Sequence, residues 1–199
     1  MIDVLLFDLG GVLVEYSGVR DLASLLPDHP SEQDVRARWG RCQPTEAYCL
    51  GHLTRQQFVE RFVGDWGITL SPDAFLDEFR SWPRRLFPGT TELLASLRSR
   101  YRIAILSNSN ELHWERVMDD LGVAALCDVA ISSHHVHLAK PDPRIFVATL
   151  ERLAVRPEAV MFFDDAIANV EAARALGMQA RHVSGVDEVR AQLTTAGLL

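Results

Sequence analysis

Four short apolar runs along the chain stop abruptly at polar residues. Val4-Leu5-Leu6-Phe7 stops at Asp8, and Tyr101 to Leu106 (YRIAIL) stops at Ser107-Asn108. Val129-Ala130-Ile131 runs into Ser132-Ser133, and Val160-Met161-Phe162-Phe163 ends at Asp164-Asp165. Aliphatic runs this short predict strands buried on both faces, as in parallel sheets. Between them, apolar positions return every three or four residues, which predicts helices. These are Thr90 to Arg100, Glu111 to Leu121 stopped by Gly122, Pro143 to Leu153, Asn169 to Leu176 followed by Gly177, and Val186 to Ala196. Gln179 to Val183 reads as a last strand. Strands alternating with helices imply right-handed parallel crossovers and a Rossmann-like three-layer α/β sandwich.

Residues 18 to 85 interrupt this alternation and carry no convincing strand. Arg20 to Leu26, Ser31 to Trp39, Thr54 to Trp66 and Ser71 to Arg80 show helical spacing. Thr54 is an N-cap candidate, and Ser71 followed by Pro72 opens another helix. Trp39 to Tyr48, with Gly40, Arg41 and Pro44, reads as a loop. Trp39, Tyr48, Trp66 and Trp82 read as helix-packing core. The expected division is an α/β core of residues 1–16 and 86–199 and a helical insert of residues 17–85, lying over the strand ends.

Composition narrows the class. The chain has 199 residues, 48% of them hydrophobic, enough for one large core with an insert. A net charge of −7 gives no nucleic-acid face, yet leaves phosphate ligands open because a local cation can dominate a site. Cys42, Cys49 and Cys127 are an odd set without metal spacing and read as free thiols of a reducing compartment. A start directly on a strand and the lack of any membrane-length apolar run predict a cytoplasmic protein without membrane contact. The sequence leaves monomer and homodimer open.

The chemistry lies at the strand ends. In a parallel sheet Asp8, Ser107-Asn108 and Asp164-Asp165 share one edge, with Lys140 in the loop after the short third strand. Open α/β sheets bind their ligands at that edge. A lone buried carboxylate is costly, and a cation relieves the cost. Several carboxylates around one point suit a hard divalent cation, foremost Mg²⁺. A hydroxyl, an amide and an ammonium opposite them suit an oxyanion, the combination that phosphoryl transfer needs. Taken singly, Asp8 reads equally as a turn residue, Asp164-Asp165 as an N-cap pair, Ser107 as a turn former and Lys140 as a loop lysine. Their shared edge is what capping leaves unexplained.

These motifs resemble the haloacid dehalogenase-like hydrolases. The matching stretches are Phe7-Asp8-Leu9-Gly10-Gly11-Val12-Leu13, Leu106-Ser107-Asn108-Ser109-Asn110, Lys140-Pro141-Asp142-Pro143-Arg144-Ile145-Phe146, and Phe162-Phe163-Asp164-Asp165 with Asn169-Val170-Glu171-Ala172-Ala173. Within that family the chain is similar to small bacterial sugar-phosphate phosphatases such as alpha-D-glucose-1-phosphate phosphatase, and the insert resembles the family's C1 cap. The resemblance implies a Mg²⁺-dependent phosphatase acting on a small phosphorylated metabolite. Asp8 would be the nucleophile, forming an aspartyl-phosphate. Asp8, the Gly10 carbonyl, Asp165 and Asp164, the last directly or through water, would hold the metal. Ser107, Asn108 and Lys140 would bind the phosphoryl oxygens, and Lys140 would also hold Asp8.

Two positions depart from the family pattern. Most of its phosphatases carry an acid/base aspartate two residues after the nucleophile, where this chain has Gly10. Loss of a general acid typically costs ~10² to 10⁴ in rate, less for a good leaving group such as an anomeric oxygen. His137 stands where the family commonly has glycine. With His134 and His135 it reads as a polar loop rather than a metal cluster, since no carboxylate or thiol completes a ligand set. Two further readings remain. Haloacid dehalogenases break C–halogen bonds with the same aspartate but lack the acidic pair and usually carry tyrosine at the Gly10 position. A catalytically weakened phosphate-binding or interaction protein is the other. Tyr16 and the Trp39 to Tyr48 segment, Arg41 included, are the expected substrate contacts of the insert.

Overall fold

The computed structural model describes all residues, 1–199. Chain order begins β1 (Val4–Phe7), β2 (Val14–Tyr16), α1 (Gly18–Leu25), α2 (Glu32–Trp39), α3 (Gln43–Cys49), α4 (Arg55–Trp66), α5 (Pro72–Arg80) and β3 (Pro83–Leu86). It continues with α6 (Thr90–Leu97), β4 (Arg102–Ser107), α7 (Glu111–Glu115), β5 (Val129–Ser132), α8 (Ser133–Val136), α9 (Pro143–Leu153), β6 (Val160–Asp164), α10 (Ile167–Ala175), β7 (Gln179–His182) and α11 (Gly185–Thr195). The main sheet has five strands in the order β5-β4-β1-β6-β7, and every pairing is parallel. The expected α/β sandwich with a helical insert is what forms.

Side-chain alternation along the strands explains the layers. Leu5, Phe7, Ile103, Ile105, Met161 and Phe163 enter one core cluster. Val4, Leu6, Ala104, Leu106, Val160 and Phe162 enter a second, on the opposite face of the sheet. A period of two with apolar residues in both phases requires helices on both sides. The insert has its own aromatic core around Phe58, Phe62, Phe75, Phe79 and Trp82, as the tryptophan pattern predicts.

Three expectations need correction. Pro83–Leu86 is a strand, and it begins inside the stretch of residues 18 to 85 read as free of strands. It pairs antiparallel with β2, matching Val14 to Leu86 and Tyr16 to Pro83. Its proline and two arginines hide it from the sequence, because this two-stranded ribbon tolerates proline and charge where a buried strand does not. The stretch from Trp39 to Tyr48 is not one loop. It is the end of α2, a short turn, and α3, whose first turn accommodates Pro44. The helix expected from Glu111 to Leu121 is α7 followed by a π-helical turn, Arg116–Asp120, in which the Leu121 N–H donates to the Arg116 carbonyl at 3.0 Å. The caps at Thr54 and Ser71 form as expected, with a full capping box between Thr54 and Gln57.

Candidate active site

β1 lies between β4 and β6, the strands the chain enters on either side of it, so the order of strands reverses there. Such a reversal leaves a crevice beyond the carboxyl ends of the strands. Asp8 follows β1 directly, Ser107 closes β4 and Asp164 closes β6. All three, with Asn108, Lys140 and Asp165, lie together at that edge. All but the buried Asp164 line one cavity of about 720 Å³.

Lys140 organises the floor. Its side chain is 1% exposed, and its Nζ donates to the Leu106 carbonyl at 2.9 Å and to Asp164 Oδ2 at 2.6 Å. Nζ also lies 2.9 Å from Asp8 Oδ1. An ammonium has three donors, and here each faces an acceptor of the chain. Burial works against the charge on Lys140, but Asp8 and Asp164 outweigh it and raise the lysine above its ordinary pKa. The Asn108 side chain secures the Lys140 backbone from both sides. It donates to the Lys140 carbonyl at 2.7 Å and accepts from the Lys140 N–H at 2.8 Å. The Asn108 side chain is thereby committed to the Lys140 backbone.

The three carboxylates differ in environment. Asp164 is fully buried, and its Oδ1 accepts from the Ala166 N–H at 2.9 Å and from Asn169 Nδ2 at 2.8 Å. Asp165 is exposed and lies against the glycine loop after β1. A Cβ on Gly11 would sit 2.2 Å from Asp165 Oδ2, and Gly11 has a φ of +74°, so glycine is required twice over. Burial, reinforced by the charges of Asp164 and Asp165 and opposed by Lys140, pushes the Asp8 carboxyl up to about 6. Burial and Asp164 likewise raise Asp165.

Oxygens of Asp8, Asp164 and Asp165 all lie within 4.8 Å of one another. Three carboxylates against the one ammonium of Lys140 leave two net negative charges at the end of a buried sheet. Such an excess is relieved by a divalent cation, and an all-oxygen donor set suits Mg²⁺. The residues present fit that ion.

The histidines form no second cluster of this kind. His134 Nδ1 meets Ser132 Oγ at 2.5 Å, and His137 Nδ1 meets the Leu50 carbonyl at 2.7 Å, so both serve the loop and its contact with the insert. Arg41 lies away from the cavity and donates to the Ala37 carbonyl at 3.3 Å. Tyr48 is buried rather than at the cavity wall. Arg20 and Arg36 take the cavity-facing places instead, beside Tyr16 and Trp39. Asn110 and His113, to which the sequence analysis assigns no site role, also line the cavity. Their signal was an N-cap residue three positions before a histidine.

Comparison with known proteins agrees with this geometry. Residues 2–177 match the haloacid dehalogenase-like hydrolase family. A phosphatase of Mycobacterium tuberculosis is 28% identical, the match covering 95% of this chain and 90% of the relative. The N-acetylmuramic acid 6-phosphate phosphatase of Pseudomonas aeruginosa is 24% identical over 86% of this chain and 77% of its own length. Acyl-CoA dehydrogenase family member 10 of Mus musculus is 29% identical over 87% of the chain, which spans 17% of that protein's length. A HAD-family enzyme of Bacteroides thetaiotaomicron, solved with magnesium and inorganic phosphate, shares the fold with a TM-score of 0.78 at 24% identity, covering 92% of this chain and 94% of that one. With the acidic strand ends, the lysine and the helical insert each in place, the chain belongs to the haloacid dehalogenase-like hydrolases.

Proposed function

We propose that this protein is a Mg²⁺-dependent phosphomonoesterase that hydrolyses a small sugar phosphate through an aspartyl-phosphate on Asp8. One observation carries the reading: Asp8 stands at the cavity floor 2.9 Å from Lys140 Nζ, within 4.8 Å of two further carboxylates. The Asp8 carboxylate attacks phosphorus, and the bond from phosphorus to the leaving oxygen breaks. Water then attacks the aspartyl-phosphate, inorganic phosphate leaves, and the Asp8 carboxylate is regenerated.

Asp8, the Gly10 carbonyl and Asp165 would hold the ion, with Asp164 reaching it directly or through water. When bound, Mg²⁺ supplies positive charge that draws Asp8 into its ionised form and screens the phosphoryl oxygens. Ser107 and the Asn108 N–H donate to those oxygens, and the Lys140 charge keeps Asp8 aimed. Asp164 in turn holds Lys140, and Asn169 holds Asp164. Gly10 brings no proton to the leaving oxygen, which leaves as an alkoxide and takes a proton from water or from a neighbouring substrate hydroxyl. This favours leaving groups of low pKa, an anomeric oxygen among them.

The test is phosphate release from p-nitrophenyl phosphate. Release with Mg²⁺ that EDTA stops and Asp8→Asn abolishes is the expected result. Release that survives Asp8→Asn, or inertness of a folded, Mg²⁺-loaded protein toward this ester and a panel of sugar phosphates, overturns the reading.

A further inference from the structure

We infer that the cavity-facing side of α2 selects the substrate, and that it takes a sugar ring through uncharged hydroxyls rather than through a second anionic group. The inference rests on the phosphatase reading and deepens it. Glu32, Arg36, Trp39 and Gly40 all line the cavity. At 3.6 residues per turn these positions fall within an arc of roughly 100°. The rest of the helix does other work. Val35 is buried in the insert's core, and Arg38 lies 4.1 Å over the Trp66 ring.

The charged positions of the inward stripe are not consumed by packing or pairing. Glu32 and Arg36 are exposed, and neither belongs to an ion pair of the chain. Trp39 is steadied within the insert, its ring 5.3 Å from Trp82 and 6.3 Å from Phe62. A fixed aromatic ring flanked by a carboxylate and a guanidinium matches a polyol ring. The C–H face of the sugar lies on the indole, its hydroxyls donate to Glu32, and they accept from Arg36. A second phosphate would suit Arg20 and Arg36 but meet the charge of Glu32. An alkyl tail would strip water from Glu32 and Arg36 and return no hydrogen bonds. Neutral hydroxyls satisfy both.

The experiment compares kcat/KM with Mg²⁺ for a hexose monophosphate, a hexose bisphosphate and p-nitrophenyl phosphate. It uses the wild type, Glu32→Gln and Arg36→Ala. The monophosphate is expected to be preferred to the bisphosphate. In each variant the ratio of hexose monophosphate to p-nitrophenyl phosphate should fall roughly 10- to 100-fold, through KM rather than kcat, the loss typical of a hydrogen bond to a charged group. An unchanged ratio in both variants overturns the inference. So does a preferred bisphosphate whose turnover Glu32→Gln improves. Calorimetric titration of hexose monophosphate into Asp8→Asn protein keeps the question separate from catalysis. Binding weakened by Arg36→Ala supports the α2 surface even where no ester is hydrolysed, and equal binding sinks it.

Discussion

Gly10 lacks a side chain where the fold leaves room for one. A Cβ there would meet only the Tyr16 Cβ, at 3.9 Å, which is ordinary contact. Gly10→Asp is therefore expected to restore an acid/base group and raise turnover on an alkyl phosphate by about tenfold or more, with little change for p-nitrophenyl phosphate. Steady-state kinetics on the two esters checks this, and a fall on both with Mg²⁺ binding intact would refute it. The neighbouring position behaves oppositely. Gly11→Ala drives a methyl group into Asp165 Oδ2 and strains a positive φ, so Mg²⁺-dependent activity should drop by at least about 10²-fold. A Mg²⁺ titration followed by phosphate release measures it, and wild-type behaviour would show that Asp165 does not need this loop. Asp8, Ser107 and Asp164 were legible because each stops an apolar run. The roles of Asn169 and Gly11 were not, since a helix residue that holds a carboxylate and a glycine chosen for space leave no periodic mark.

The short helix α7 joins the two halves of the chain through His113. Its Nε2 meets the Phe79 carbonyl at 2.7 Å, which can only accept, so Nε2 carries the proton. Nδ1 is then the acceptor for Asn110 Nδ2 at 3.1 Å, and the ring is held neutral. Burial lowers His113 from 6.5 to about 4, against the pull of the Phe79 carbonyl. Above pH 6.5 this contribution to stability is fully present. As pH falls from 6.5 toward 4 the unfolded chain takes up a proton that the folded chain refuses, and roughly 3 kcal/mol is lost. Urea unfolding at pH 7.5, 5.5 and 4.5 should show wild type losing stability faster than His113→Gln over that range. Parallel losses would mean that the histidine titrates normally in the fold. Elements with long periodic patterns, such as α4, α5 and α9, were legible from the sequence. The Pro83–Leu86 strand was not, because its partner lies across the whole insert, and the π turn was not, because one extra residue in a helical turn leaves the apolar spacing nearly unchanged.

The insert and the α/β core form one body because core residues reach into the insert's interior. Leu112 of α7 is 2% exposed and belongs to the aromatic cluster of the insert, not to either cluster of the sheet. Around it, Ser133 Oγ donates to the Cys49 carbonyl at 2.6 Å, and Arg80 pairs with Asp120 at 2.7 Å. The sequence showed an insert over the strand ends, since a helical block breaks an alternating pattern. It did not show this docking, because Leu112 occupies an apolar position that suits either core equally. The consequence concerns folding of the whole chain. If the cluster around Leu112 is continuous, calorimetry shows one unfolding transition for both halves. Leu112→Ala leaves a cavity that costs roughly 2–5 kcal/mol. For a chain of this size that lowers Tm by roughly 4–20 °C while the transition stays single. A wild-type scan with two transitions, only the earlier of which responds to Leu112→Ala, would instead make the insert an independent unit resting on the sheet.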